Sequence, residues 1–437
     1  MRSFFRRARA QVATKVGSNP HRRTLAADIS YVLVTQILSR GVLNVVNILA
    51  ANFLSVLQFT AYNYFLITTN LVAAGVGVGL PVAATKVVAE ASPDDRPDYA
   101  GKVAAILYLI GGSTLAAILL SPIVLPLLSP DEVQVSPILL MLGACALAWF
   151  GIMQGGLQGA SAFRAVLLPV SIGSGLLLAT CALSWWSASE LPLIVGLILF
   201  YIVPAALFVR QLSRMGLLPK AVLRAPPSPA LRDIAATALP SLGNALIFTA
   251  VNWWIARVLI ENQGSQTAFA QFVIGMQWFS LALFVPLAVG QVIFPRYIKL
   301  AQTSAISWSA SLKPAMFACL LVLMLILVAV PATPLLSLIY GSNFDFSAWF
   351  VLAMLGAAAL SAPAGVLGQA VIAMHGARMW FWVFLVYLIL GFALPFFWPP
   401  TSELDAAILL AIVNAGLLAT AIATLYLMRR ERRPSEG

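Results

Sequence analysis

One apolar segment near the N-terminus carries four polar side chains at helical spacing. Gln36, Arg40, Asn44 and Asn47 are separated by four, four and three residues, which aligns them along one face of an α-helix. Arg40 lies about twelve residues into the segment, or ~18 Å at ~1.5 Å per residue, near the middle of a membrane. A charged side chain at that depth is costly if it faces lipid. The asparagines alone fit interhelical hydrogen bonding equally well, but Arg40 in the same stripe favours the wall of a polar cavity.

Further polar side chains occur in three other apolar segments. They are Asn70, Asn244, Asn252 and Gln277. Together with the first stripe, they predict a central cavity lined by four helices. Arg257 is a second basic residue within an apolar segment, four residues before Glu261 and close after Trp253 and Trp254. It is predicted either to line the cavity or to extend to the membrane interface beside an aromatic belt.

Acidic residues are missing from the middle of every apolar segment. All fifteen lie at segment ends or between segments, whereas a pump that binds cations or relays protons usually needs a buried carboxylate. The cavity is therefore predicted to be net positive and suited to an anion, since arginine can bind a phosphate through paired hydrogen bonds. No nucleophile, base and acid constellation and no metal-ligand pattern is visible, so we predict a protein that is not an enzyme and has no cofactor. Whether H⁺ or Na⁺ acts as a coupling ion stays open.

The composition places these segments in a membrane. Hydrophobic residues make up 61% of the 437 and charged residues 9%, against about a quarter charged in soluble domains. Uncharged runs cover residues 41–85, 103–130, 133–163, 165–189, 191–209, 234–256, 262–295, 314–344, 346–374, 379–402 and 406–428. A spanning helix needs about 20 apolar residues, so ten runs hold one helix each. The first run, extended by residues 29–40, splits into two at "NFLSVLQFT". The prediction is an all-α integral membrane protein of twelve helices, numbered 1 to 12 in chain order.

Basic residues indicate the orientation. Of the 26 lysines and arginines, 24 lie in the tails and in alternate connections, and the six opposite loops contain none. The positive-inside rule then places both termini in the cytoplasm. The net charge of +11 is thus explained by topology and is poor evidence for nucleic-acid binding.

The two halves of the chain resemble each other. "LLMLGACALA" at 139–148 is echoed by "LAMLGAAALS" at 352–361, and "TAYNYFLI" at 60–67 by "TAFAQFVI" at 267–274. Equivalent segments are six helices apart, so the repeat is parallel, as in transporters that rock one bundle against another. Gln277 is the repeat equivalent of Asn70. The predicted divisions are a basic tail (1–28), an N-terminal six-helix bundle (29–212), a linker (213–232), a C-terminal six-helix bundle (233–428) and a second basic tail (429–437).

Two stretches resemble Wzx-type polysaccharide flippases of the multidrug/oligosaccharidyl-lipid/polysaccharide (MOP) exporter superfamily. The matching positions around helices 1 and 2 are Leu54-Ser55, Phe59 with Tyr62, Gly79-Leu80-Pro81 and Lys86. At the turn into helix 5 they are Gly156, Gln158, Gly159 and Phe163. Twelve helices in two bundles of six also match. Members of this family often have an acidic residue directly before the helix 7 arginine; here Ala256 precedes Arg257.

The resemblance implies a V-shaped pair of bundles in the bacterial cytoplasmic (inner) membrane. Such a protein moves an isoprenoid-pyrophosphate-linked oligosaccharide from the inner to the outer leaflet, and a cationic lumen would suit Arg40. The implied partners are membrane lipid, the lipid-linked oligosaccharide and other polysaccharide-assembly membrane proteins. One alternative is a cation-coupled multidrug exporter of the same fold, which predicts an intramembrane carboxylate. Another is a membrane polysaccharide polymerase or ligase, against which the short outer loops argue.

Overall fold

The computed structural model describes residues 30–78, 80–90, 96–128, 136–218, 228–263, 266–303, 308–341, 344–375 and 377–431. The predicted N-terminal tail lies outside these residues, as do most of the C-terminal tail and part of the linker. The predicted division boundaries stay predictions.

The described chain is helical, and its helices follow the predicted order. They are α1 (Ser30–Phe53), α2a (Val56–Ala73), α2b (Leu80–Glu90), α3 (Arg96–Leu128), α4 (Pro137–Gly159), α5 (Phe163–Ser187), α6 (Leu191–Arg214), α7 (Ser228–Gln263), α8a (Gln266–Ala282), α8b (Phe284–Thr303), α9a (Trp308–Ala329), α9b (Thr333–Tyr340), α10 (Ala348–His375), α11 (Ala377–Phe397) and α12 (Glu403–Glu431). Within the described ranges, ten helices are long and apolar enough to cross a membrane, and two bent pairs raise the number to twelve. The predicted fold class, all-α with twelve spans, is confirmed. Helices suit this composition because a backbone in lipid must satisfy its own hydrogen bonds.

Both bent spans break just before a proline. α2a continues through a π-helical turn at Ala74–Val78, and α2a and α2b meet at 47°. Gly77 leaves the helix with φ 156° and ψ 18°, a conformation that favours glycine. Pro81 is four residues later, and a proline ring clashes with the carbonyl at that spacing. The 43° bend between α8a and α8b precedes Pro286 in the same way, so the sequence repeat is also a structural one.

The two halves also use equivalent packing partners. α4 packs against α2a, α2b and α6, and α10 packs against α8a, α8b and α12. The halves meet where α2a contacts α8a, α2b contacts α8b, and α7 contacts α2b and α3.

The twelve spans alternate in direction, which gives the molecule two distinct ends. Outside the spans' interiors, the described lysines and arginines lie where even-numbered helices end and odd-numbered helices begin. We call this end the basic face and the other end the opposite face. Arg40 and Arg257 are the exceptions among the described residues.

Candidate substrate-binding site

Arg40 lies on a widened turn of α1. Residues Ile37–Gly41 form a π-helical turn within the span, a local irregularity that often marks functional sites. Asn44 Nδ2 donates to the carbonyl of Arg40 at 2.7 Å, and Ser174 Oγ of α5 donates to the carbonyl of Leu38 at 2.7 Å. Side-chain donors from α1 and α5 therefore hold the turn that carries the guanidinium.

The predicted polar stripe faces the inside of the protein. Gln36, Asn44 and Asn47 are buried and Arg40 is half-buried. The apolar side chains on the other side of α1 are exposed; they are Ile37, Val45 and Leu49. The Oδ1 atoms of Asn44 and Asn47 are buried and accept no hydrogen bond from the described residues. A buried polar atom without a partner is destabilising, so each of these oxygens has unused hydrogen-bonding capacity.

A phenol lies near the guanidinium. Tyr201 of α6 interacts electrostatically with Arg40, and Tyr62 of α2a lies near Tyr201. Tyr201 is held against the rings of Phe150 and Phe200, at centroid distances of 5.6 and 5.0 Å. No carboxylate of the described residues pairs with Arg40. The arrangement places the Arg40 guanidinium near the Tyr201 phenol without a paired carboxylate, which suits an anion.

Arg257 lies in a different environment. Its Nε is 2.6 Å from Oε1 of Glu261, and its guanidinium lies 5.2 Å from the ring centroid of Trp253. The charge is thus compensated within α7, about two turns from its end at the opposite face. The structure does not bring Arg257 to the Arg40 turn. Its predicted role in binding stays a prediction.

The other predicted residues lie on α2a, α7 and α8a, which contact one another across the two halves. Asn70 donates to the Leu66 carbonyl at 2.8 Å. Asn244 and Asn252 are buried on α7, each with an Oδ1 that accepts no bond from the described chain. Gln277 of α8a is buried, and neither its amide nitrogen nor its amide oxygen has a hydrogen-bond partner in the described chain. Binding roles for these four residues also stay predictions.

Several polar residues of the interior escaped the sequence interpretation. Ser174, Tyr201, Tyr387 and Asn414 all lie in apolar runs, where a serine or tyrosine is usually a packing residue. Asn414 had a detectable signal, as an asparagine deep in an otherwise apolar span. The other three gain significance only through contacts distant in sequence. No group of three or more potential metal ligands occurs among the described residues.

The fold is that of the multidrug and toxic compound extrusion (MATE) transporters of the MOP superfamily. A MATE family multidrug resistance transporter in an outward-facing conformation superimposes with a TM-score of 0.65 at 17% identity, over 95% of this chain and 98% of that one. The Vibrio cholerae MATE transporter VcmN gives 0.65 at 15% identity, over 95% and 97%. A MOP superfamily transporter from Pyrococcus furiosus, for which reverse polarity of the binding pocket has been described, gives 0.68 at 14% identity, over 95% and 98%.

Sequence comparison adds nothing further, since no family model and no curated protein matches the chain. Identities of 14–17% establish the fold alone. The chain is a multi-pass membrane protein with this architecture, and its function must be argued from its own residues.

Proposed function

We propose that this protein is a transporter that flips an isoprenoid-pyrophosphate-linked oligosaccharide from the inner to the outer leaflet of the bacterial inner membrane. Arg40 is the observation that carries the proposal. Its guanidinium lies deep in a span, faces inward, and forms no ion pair with a described carboxylate. A cation held there without a counter-charge favours an anionic ligand, and a guanidinium can bind a pyrophosphate through two parallel hydrogen bonds.

The surroundings of Arg40 support the same substrate. Tyr201 interacts electrostatically with Arg40, and the guanidinium is carried on a π-helical turn. Electrostatic attraction is stronger in this low-dielectric interior than in water. The Wzx-like motifs around Pro81 and Gly159 point to the same class of substrate by resemblance.

Alternating access is the proposed mechanism. At the basic face, Lys102 of α3 and Asp233 of α7 form an ion pair of 3.4 Å across the two bundles. At the opposite face, Asn52 of α1 donates to the Ile339 carbonyl of α9b at 2.9 Å. These two polar contacts lie at opposite ends of the molecule, so one would separate while the other persists. Rocking of the bundles about the central helices would then expose the site to each leaflet in turn.

The orientation and partners of the protein belong to the same proposal. With the basic face in the cytoplasm, the Arg40 site would receive its substrate from the inner leaflet. Membrane lipid and other polysaccharide-assembly proteins are the proposed partners. The coupling ion, H⁺ or Na⁺, stays open, because no described acidic residue lies deep in a span to bind one.

A flipping assay on purified variants tests the proposal. Vesicles containing the protein and a fluorescent polyprenyl-pyrophosphate oligosaccharide are treated with a membrane-impermeant quencher. Arg40→Gln is expected to slow flipping about a hundredfold, because it removes a charge-assisted pair worth ~3 kcal/mol. Arg40→Lys should retain part of the flipping rate, since lysine keeps the positive charge but cannot form the two parallel hydrogen bonds of a guanidinium.

The control removes a positive charge elsewhere. Arg164 is exposed at the start of α5, and Arg164→Gln should flip at the unaltered rate. Full flipping by Arg40→Gln would refute the role of Arg40. No flipping by the unaltered chain would refute the proposed function.

A cation-coupled multidrug exporter is the second candidate, because one structural neighbour is a multidrug resistance transporter. That function predicts that a proton or sodium gradient drives a lipophilic cation out of the same vesicles. Arg40 would repel such a substrate. Expulsion of the cation without lipid flipping would favour this candidate over the flippase.

A further inference from the structure

Four polar side chains of the C-terminal bundle lie at one depth. Asn252 of α7, Gln277 of α8a, Tyr387 of α11 and Asn414 of α12 are each ten or eleven residues from the end of their helix at the opposite face. At ~1.5 Å per residue this depth is about 15–17 Å. We call these four residues the amide layer. Arg40 lies within about one helical turn of the same depth in the other bundle.

The amide layer is buried and poorly satisfied. The exposed fractions are 9% for Asn252, 8% for Gln277 and 0% for both Tyr387 and Asn414. The Oδ1 atoms of both asparagines and both amide atoms of Gln277 have no hydrogen-bond partner among the described residues. Each such group is destabilising by about 1–3 kcal/mol.

The helices of the amide layer contact one another. α8a packs against α7 and α12, and α11 packs against the same two helices. The Tyr387 ring stacks on Phe248 of α7 at a centroid distance of 5.7 Å and an angle of 24°. Asn252 is one turn along α7 from Phe248, on the same face. The Tyr387 hydroxyl lies against the Asn414 amide, outside ideal hydrogen-bond geometry.

The chemistry of the amide layer is uncharged. Amides both donate and accept hydrogen bonds, and a phenol does the same. Mg²⁺ and Ca²⁺ sites are built around carboxylate ligands, and none lies in the layer. A ligand with many neutral hydroxyls matches these groups best, and the neighbouring aromatic rings suit the apolar faces of sugar rings.

We infer that the amide layer binds the uncharged sugar residues of the substrate while Arg40 binds its anionic group. This inference rests on the proposed function, because it takes the substrate to be a glycosylated lipid pyrophosphate. One ligand would then contact both bundles at a similar depth in the membrane. Recognition of the sugar would be separate from recognition of the pyrophosphate.

Binding measurements with two probes test the inference. The probes are a polyprenyl pyrophosphate without sugar and the same lipid carrying a neutral disaccharide. The unaltered full-length chain should bind the glycosylated lipid about tenfold more tightly, through one or two added hydrogen bonds. The double variant Asn252→Leu/Gln277→Met should lose this preference and keep its affinity for the sugar-free lipid. Arg40→Gln should weaken binding of both probes.

Thermal stability separates recognition from a structural role. Replacing unpaired amides with apolar groups of similar shape should leave Tm unchanged or raise it. Asn414→Leu provides a second variant with the same expected loss of preference should the double variant fail to fold. Gln369→Met is the matched control, because Gln369 is a half-buried amide of α10 nearer the basic face, and it should keep the preference.

The outcomes distinguish the two proposals. A preference retained in the double variant and in Asn414→Leu would overturn the amide-layer inference alone. Equal affinity of the unaltered chain for both probes would also overturn it, while leaving the pyrophosphate site intact. Failure of the unaltered chain to bind either lipid would overturn the inference and the proposed function together.

Discussion

Arg40 depends on residues that do not touch its guanidinium. The π-helical turn beneath it is held by Asn44 from its own helix and by Ser174 from α5. Ser174 is buried, and its hydroxyl is an interhelical donor to the Leu38 carbonyl. We therefore consider Ser174 a positioning residue for Arg40.

Ser174→Ala tests that role at the scale of one hydrogen bond. The substitution removes the hydrogen bond from Ser174 to the Leu38 carbonyl, which contributes ~1 kcal/mol. It should therefore weaken binding of a polyprenyl pyrophosphate about fivefold. The measurement is equilibrium binding to the purified protein. In an Arg40→Gln background, the same substitution should have no further effect on affinity.

A serine three residues earlier serves as the control. Ser171 donates to the Leu167 carbonyl of its own helix at 2.9 Å, so Ser171→Ala should leave affinity unchanged. An equal loss of affinity from Ser174→Ala with and without Arg40 would mean that Ser174 only stabilises the fold.

At the scale of elements, the tight packing of α4 on α2b positions the N-terminal bundle. A Cβ atom at Gly155 would lie 2.6 Å from the Pro81 carbonyl oxygen, and one at Gly159 would lie 2.5 Å from that of Thr85. The Thr85 hydroxyl bonds the Gly155 carbonyl at 3.0 Å. Two backbones therefore meet directly beside the bend at Gly77, which ties the direction of α2b to α4.

Gly155→Ala should weaken this contact. The methyl group meets backbone atoms that cannot rotate away, so we expect a destabilisation of ~1–3 kcal/mol. A Cβ atom at Gly175 of α5 would meet nothing within 4 Å, and Gly175→Ala should be neutral or stabilising by ~0.5–1 kcal/mol. Thermal unfolding in detergent compares the two variants. Equal Tm values would contradict the close approach of α4 and α2b.

At the scale of the whole molecule, polar contacts between bundles occur at both ends. Lys102 and Asp233 pair at the basic face, whereas Asn52 bonds the Ile339 carbonyl at the opposite face. Phe59 and Phe344 add an aromatic contact near the opposite face, with centroids 5.7 Å apart. The proposed rocking mechanism requires the contacts at the basic face and those at the opposite face to open in turn.

Cross-linking tests this requirement. After the three native cysteines are replaced, the pairs Lys102→Cys/Asp233→Cys and Asn52→Cys/Ile339→Cys are joined by a short reducible bifunctional reagent. Either bridge should slow lipid flipping at least about tenfold, because it keeps one face closed. Reduction should restore the rate.

A bridge within one bundle is the control. Tyr99 of α3 bonds the Leu217 carbonyl beyond α6 at 2.9 Å, so Tyr99→Cys/Leu217→Cys joins two parts of the N-terminal bundle and should allow flipping. Undiminished flipping with both inter-bundle bridges in place would exclude the rocking mechanism.

The sequence alone determined the parts of this protein that the bilayer dictates. Spans of about 20 apolar residues, their alternation and the one-sided basic residues follow from the thickness and polarity of a membrane. Both bends found in the structure come just before a proline, Pro81 or Pro286, which disrupts its own helix locally. The stripe of Gln36, Arg40, Asn44 and Asn47 was predictable for the same reason, since helical periodicity is a local property.

Only the tertiary structure decided what those polar groups meet. Arg257 pairs within α7, Ser174 and Tyr201 adjoin the Arg40 turn, and Tyr387 lies against Asn414. In an apolar span, a serine or tyrosine looks the same in sequence whether it faces lipid, a neighbouring helix or a cavity. The facing direction depends on how each span rotates and packs against others far away in the chain. That packing, which no local pattern encodes, places the Arg40 turn in one bundle and the amide layer in the other.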